Sequence, residues 1–538
     1  MKMRNKYLLL LAALPLCGWI ALGQSRGGNW PTFGGDAQRS GWESADPRIS
    51  PDTAKDIRLL WKLKFETQPR GARPVMPPIV LSRLISYRGF RELAFVATNA
   101  DIVYSLDADL GTIFWLKHLD YSTREPQVMT SSWRCPGGLT AMPTMPVQGR
   151  GGTAPRGAAT PGQRGSPFIG GPGPASVYAI SSDGRLHRLN TSTGDDMTQP
   201  VSVIPANARA ANLTMVDNVI YTVTSHECGN APNAIWAIDL AVDPVKVRSY
   251  KLDAGSSPGL GGTSIGSDGT VYVRSGEGRV VALRPRELQL KDYFLAKDTG
   301  DDASLRDVRD VMNVSSPLLL PYENRDFVVT DCGTAICVLD SAWMGGAAHD
   351  TPMYRTPPVT QAARNASGIA ERGIAGSLAS WQDMDGTRWV LASVMGPLHA
   401  DLKVPVTNGP TPNGSVVAFK VQDQGGKKTL EPAWVSRDLH SPMPPVVANG
   451  VVFALSAGEF TRQVQKTEDD LATLDERPRG SSHATLYALD AKTGKELYSS
   501  HNLVTVPAAL TGLTVVTGRV YFGGTDGSFY AFGFELER

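Results

Sequence analysis

Short apolar runs rich in Val, Ile, Leu, Tyr and Phe recur along the whole chain, separated by clusters of Gly, Asp, Ser and Pro. One set is centred on an aromatic or branched residue: LAFVAT (93 to 98), SVYAIS (176 to 181), VIYTVT (219 to 224), TVYVRS (270 to 275), DFVVTD (326 to 331), RWVLAS (388 to 393), VVFALS (451 to 456) and RVYFGG (519 to 524). A second set follows after a turn: VYSLDA (103 to 108), LHRLNT (186 to 191), IWAIDL (235 to 240), VVALRP (280 to 285), ICVLDS (336 to 341), VVAFKV (416 to 421), LYALDA (486 to 491) and FYAFGF (529 to 534). Each set has eight members, and no long stretch keeps a 3.6-residue period with helix caps. The intervening turns carry Asp183-Gly184, Glu277-Gly278, Cys332-Gly333 and Asp526-Gly527. Gly there accepts the positive φ of a tight hairpin.

Two further elements complete the unit. DADLGTIFW (107 to 115) and DAKTGKELY (490 to 498) share an Asp, a Gly four residues on and an aromatic four beyond that. Asp can accept backbone N–H bonds in the turn, Gly can take the left-handed position, and the aromatic opens an outer strand. Pro-containing apolar runs often precede the first strand: MPPIVL (76 to 81), SPLLLP (316 to 321) and MPPVVA (443 to 448). Four strands repeated eight times predict an all-β fold, an eight-bladed β-propeller of four-stranded antiparallel blades. The chain stops after FYAFGFELER with no outer strand, whereas RLLWKLKF (58 to 65) stands near the start with no hairpin before it. The N-terminal strand is therefore expected to pair with the C-terminal blade, with Trp61 in the place that Trp115 holds in the first complete copy.

This repeat resembles that of the bacterial pyrroloquinoline quinone (PQQ) propellers, the quinoprotein alcohol dehydrogenase-like superfamily. NWPTFGGDAQRSGW (29 to 42) and ISPDTAKDIRLLWKLKF (49 to 65) are similar to the opening of such chains. WD-type propellers lack the Asp–Gly–aromatic turn, and no Trp-Asp dipeptide occurs here. A kelch-type propeller would need a different signature. The resemblance implies two functions. One is a non-catalytic binding or scaffold propeller, similar to the outer-membrane assembly members. The other is a periplasmic PQQ-dependent oxidoreductase acting on an alcohol, aldehyde or sugar, with PQQ and Ca2+ as cofactors. Catalytic members hold the quinone over a Trp floor, beneath a ring formed by adjacent cysteines. No Cys-Cys dipeptide and no Cys-x-x-Cys-His haem pattern occurs in this chain. The binding reading is therefore placed first.

Composition narrows the class. The 538 residues carry a formal net charge of +1, which supplies no field for nucleic acid. The 55 Gly and 38 Pro favour turns and short strands. Lys2, Arg4 and Lys6, the apolar YLLLLAALPL (7 to 16) and the small residues Ala21-Leu22-Gly23 read as a signal peptide over 1–23, with an uncleaved anchor or a lipoprotein at Cys17 as alternatives. The mature protein is then periplasmic or extracellular, with no membrane span after cleavage. The boundaries become a signal peptide 1–23, an N-terminal extension 24–56 and a single propeller domain 57–538. Two stretches break the rhythm. The Gly/Pro/Arg-rich loop 148–174 reads as a surface loop or a tether, and the charged insertion 459–483 as a solvated excursion or a lid.

Export makes cysteine pairing relevant. Cys332 and Cys337 flank a tight turn and are candidates for one bridge, leaving Cys135 and Cys228 for another; free buried thiols are the alternative. The eight His residues are scattered, with no zinc-like spacing. In a propeller, the loops between second and third strands and the links between blades share one end of the central channel. Residues in those loops are the candidates for binding a small-molecule, cofactor or protein ligand: Trp133, Arg134, Glu227, Arg309, Asn313, His399, Asp401 and His440. Arginines in such a cluster suit bidentate contacts to an anion.

Overall fold

The computed structural model describes residues 28 to 535, apart from 66–75, 120–134, 148–175, 297–314, 361–372, 459–480 and some shorter breaks. The signal segment and the Gly/Pro/Arg-rich loop 148–174 lie outside the described residues, as does most of the 459–483 insertion. The described strands form eight sheets. The first is Ile79–Ser86, Gly89–Thr98, Ile102–Asp107 and Thr112–His118, paired in that order. The same meander recurs around the ring.

Middle strands are sandwiched between neighbouring blades. Ile102–Asp107, Val451–Ser456 and Ser528–Gly533 are buried at every position. Outer strands touch solvent on one side and alternate instead, as Arg58–Lys64 and Thr112–His118 do. The two apolar repeats in the sequence are these middle strands. Strand number varies about the expected four. The second blade has a three-stranded sheet, Ser176–Ile180, Arg185–Asn190 and Val201–Ser202, with its innermost position reduced to the single bridge Thr144–Tyr178. The Gly/Pro/Arg-rich loop falls between that bridge and Ser176. The sixth blade gains Val406–Thr407 on its outer edge, and the seventh gains Trp42–Glu43 on its inner edge.

The ring closes through its ends. Arg58–Lys64 lies antiparallel on Ser528–Gly533, with Arg58 opposite Gly533, Trp61 opposite Ala531 and Lys64 opposite Ser528. The Asp–Gly–aromatic signature now has a physical meaning. In the first blade the Asp107 carboxylate accepts the N–H groups of Asp109 and Leu110, which shapes the turn that carries Gly111. Gly111 has φ +64°, and a Cβ placed there would lie 2.4 Å from Cγ of Trp61 in the preceding blade. The Trp61 indole donates to the Ala108 carbonyl at 3.1 Å. Trp115 and Trp434 dock in the same way on Gly194 and Gly494 of the blades that follow them, and only Gly leaves room for them.

Residues 30 to 43 run inside the ring. Trp30 exchanges backbone bonds with Val80, at 2.8 and 2.9 Å. The Pro31 carbonyl accepts from Met145, and Thr32 Oγ1 donates to the Leu213 carbonyl. The carbonyls of Ala37, Gln38, Ser40 and Gly41 accept from Ile265, Leu319, Ser380 and Val447. These partners lie on the innermost elements of blades one to seven, in order. Phe33 reaches the eighth, within 3.2 Å of a Cβ built on Gly512. Innermost strands have a free edge toward the channel, and this segment satisfies part of it.

Candidate functional site

Antiparallel meanders place the turns between second and third strands, together with the links between blades, at one end of the disc. Four of the expected site residues there, Trp133, Arg134, Arg309 and Asn313, lie outside the described residues. Glu227 sits on the third blade with φ +52°, after His226 at φ +60°. Its N–H donates to Asn233 Oδ1 at 3.2 Å. The next residue, Cys228, is bonded to Cys135, which ties the link between blades one and two to this loop. The second disulfide joins Cys332 and Cys337 across the corresponding turn of the fifth blade.

His399 and Asp401 are brought together on the sixth blade. Nδ1 of His399 lies 3.5 Å from the Asp401 carboxylate and accepts the Asp401 N–H at 3.2 Å. His440 is fixed through its backbone: its N–H donates to Ser456 Oγ at 2.9 Å, and the Ser456 hydroxyl donates back to its carbonyl at 3.1 Å. The described contacts thus join His399 to Asp401 and leave Glu227 and His440 on blades three and seven.

Other charged groups at this end do meet. Arg274 and Asp331 close the second strands of blades four and five and pair at 2.6 Å, with side chains only 2% and 5% exposed. Both residues end apolar repeat strands in the sequence, with opposite charge in consecutive copies, and that was the available signal. On the second blade, His187 bridges Asp196 (Nδ1, 2.8 Å) and Ser181 Oγ (Nε2, 3.2 Å). The order is that of a hydrolase triad. The Ser181 hydroxyl, however, donates to Asp183, and Ser181 and His187 are buried. The group fastens a turn and does not expose a nucleophile. Deeper in the channel Arg39 is fully buried. It donates from Nε to the Thr263 carbonyl at 2.9 Å and from Nη2 to Thr214 Oγ1 at 2.5 Å. Burial pulls its pKa down to about 9, while Asp36 acts to raise it.

A calcium-bound quinone needs about six to eight oxygen ligands around its cation. Among the described residues no three His, Cys, Asp or Glu side chains converge on one point. Arg274 is neutralised by Asp331, and His399 and Asp401 face one another on one loop. No acidic ligand set for that cation is assembled among the described residues. No helix among them is long and apolar enough to cross a membrane.

No protein-family model matches the sequence, and no curated protein matches it. Solved structures do. The quinohemoprotein alcohol dehydrogenase of Comamonas testosteroni superposes with a TM-score of 0.54 at 14% identity, over 96% of this chain and 82% of that one. A europium-containing methanol dehydrogenase gives 0.54 at 12%, over 94% and 98%. A quinohemoprotein alcohol dehydrogenase of Pseudomonas putida HK5 gives 0.55 at 12%, over 95% and 81%. The chain has the eight-bladed β-propeller fold of these structures. At these identities the likeness is one of fold, and function has to be argued from the site.

Proposed function

We propose that this protein is an exported binding or scaffold propeller that takes a small-molecule or protein ligand on the disulfide-bearing end of its channel. One observation carries the reading: both disulfides lie at the same end, Cys135–Cys228 joining two loops and Cys332–Cys337 joining the two strands of a hairpin beside its turn. Loops held before the ligand arrives lose less entropy on binding, which favours recognition. Disulfides also suit a chain that leaves the cytoplasm, in keeping with the signal-like residues 1–23. Glu227, His399, Asp401 and His440 are the described side chains proposed to meet the ligand, with Trp133, Arg134, Arg309 and Asn313 beside them in sequence position. A propeller domain over 57–538 presents them, with the preceding extension threaded into its channel.

Differential scanning fluorimetry of the mature protein, against a panel of small carboxylates, phosphates, sugars and PQQ with Ca2+, tests this reading. A ligand that raises the melting temperature of the wild type, and does so less for Glu227→Ala or His399→Ala, supports it. Reduction of an artificial dye by an alcohol, aldehyde or sugar, dependent on added PQQ and Ca2+, would overturn it in favour of an oxidoreductase.

A further inference from the structure

One contact repeats at three seams of the disc, and at a fourth its aromatic has no turn to meet. Trp61, Trp115 and Trp434 stand in outer strands and pack on Gly111, Gly194 and Gly494 of the following blade. Their indoles donate to the carbonyls of Ala108, Thr191 and Ala491. Tyr498 occupies the same position on the seventh blade. Two residues after it, Ser500 exchanges bonds with Leu486, both 2.9 Å. Ser436, two residues after Trp434, makes the same pair with Val416, also 2.9 Å each. But the eighth blade borrows its outer strand from the N-terminal segment, so no turn joins its third and fourth strands. Ile57 and Arg58 enter there, and Glu535 leaves. The outcome is an open cleft of about 710 Å3, lined by residues 496 to 503 together with Ile57 and Arg58. Tyr498 stands in it half-buried, with burial alone pushing its hydroxyl up to about 12.

The preceding blade displays what such a groove accepts. Val406–Thr407 lies parallel on the sixth blade's outer strand, Val406 opposite Trp434 and Thr407 opposite Val435. The Asn408 side chain then donates to the carbonyl of Val435 at 2.8 Å and to that of Thr493, in the next blade's turn, at 2.9 Å. On the seventh blade, Glu496–Ser499 is the outermost strand, and among the described residues nothing pairs with its far edge.

We infer that the cleft between blades seven and eight receives an extended segment of a partner protein, laid along Glu496–Ser499 as Val406–Thr407 is laid along Trp434–Val435. Main-chain bonds to the strand edge supply affinity, and side-chain positions supply choice. A β-branched residue packs against Tyr498 and Leu503, which is 49% exposed. Charge selects the far end of the segment. Arg58 meets Glu535 at 3.4 Å, with side chains 65% and 74% exposed. So loose a surface pair yields readily to a carboxylate brought by the partner. The fitting segment is therefore extended, β-branched and Thr- or Asn-bearing, and ends in an acid.

A fluorescein-labelled peptide with the sequence of residues 403 to 409, extended by one Asp, is the probe. Anisotropy titration with the mature protein is expected to saturate. Arg58→Glu should weaken binding about tenfold, as the loss of one charge-assisted contact would. Leu503→Asp should weaken it as well, while both exposed substitutions keep the wild-type melting temperature. No binding at about 1 mM peptide, or equal binding by wild type and both variants, would overturn the inference. So would a wild-type dimer in sedimentation that Arg58→Glu dissolves, because the occupant would then be a second copy. Tighter binding after removal of residues 536 to 538 would likewise overturn it, in favour of the chain's own end.

Discussion

Arg519 of the last blade donates from Nη1 to the Glu92 carboxylate of the first, 3.1 Å away, with both side chains buried. Arg519 also reaches Asp109, and Thr517 Oγ1 donates to Glu92 at 2.5 Å. The contact crosses the seam where the ring closes, so its charge state bears on closure.

Two carboxylates share one buried guanidinium there, and Glu92 is the more buried of them. Burial pushes Glu92 up to about 7; Arg519 and the Thr517 hydroxyl pull against this, and Asp109 adds to the rise. A folded-state pKa above the unfolded one means that the native protein binds more protons between about 4.5 and 7. Its contribution is then complete below about 4.5 and is lost as pH rises through about 7. The amount at stake is on the order of 3 kcal/mol. Denaturation midpoints of wild type and Glu92→Gln, measured from pH 5 to pH 8, should converge at the acid end and separate at the alkaline end, with the Gln variant the more stable there. Parallel profiles would show that Glu92 does not titrate in this window.

Gly111→Ala should cost about 2–4 kcal/mol, because a Cβ would strike Trp61 in a position that already has positive φ. Gly425 is the control. Its φ is +63°, and nothing lies within 4 Å of a Cβ built there. Gly425→Ala should cost only the backbone strain, about 1 kcal/mol. Equal losses for the two in urea titrations would mean that the rim contact adds nothing to the backbone term.

The channel segment and the closing strand can be separated by truncation. Trp30 and Phe33 are buried in the channel and together contribute about 4–6 kcal/mol of apolar burial. A chain that begins at residue 45 loses this but keeps Arg58–Lys64 on the last blade. A chain that begins at residue 66 also exposes the edge of Ser528–Gly533. Melting temperatures should fall in that order, with aggregation for the shortest chain. A chain from residue 45 that melts with the full mature protein would refute the stabilising role of residues 30 to 43.

How far the sequence alone reaches follows from which forces are local. The middle strands were legible because both faces are covered, so LAFVAT and LYALDA stay apolar from end to end. Closure was legible from Trp61, since an aromatic eight residues after an expected Asp had no Asp before it. The path of residues 30 to 43 was not. Its bonds join Pro31, Ala37 and Gly41 backbone carbonyls to strands far along the chain, and such bonds leave no alternation to read. At the site, the end of the disc followed from the repeat, but the partner of a loop side chain depends on loop conformation. Hence His399 and Asp401, two apart on one loop, were named as candidates without a contact between them, while Arg274 and Asp331 on different blades went unnoticed.

The two disulfides should differ in worth despite sharing one end of the disc. Cys135–Cys228 closes a sequence separation of 93 residues, and Cys332–Cys337 one of 5. A cross-link removes more freedom from the unfolded chain when its loop is long: about 4–5 kcal/mol for the first and about 2 kcal/mol for the second. Replacing both cysteines of each pair with Ala, and measuring unfolding in urea, should reproduce that order. The functional consequence has the same direction. The long bridge holds the Glu227 loop against the link between the first two blades, whereas the short one only staples a hairpin that its own ladder of backbone bonds already fixes. The Cys135→Ala/Cys228→Ala protein should therefore lose the ligand-induced rise in melting temperature under conditions where it is still fully folded, and the Cys332→Ala/Cys337→Ala protein should keep it. If both pairs prove dispensable for that rise, the loops of this end are not held ready by their disulfides, and the binding reading loses the observation on which it stands.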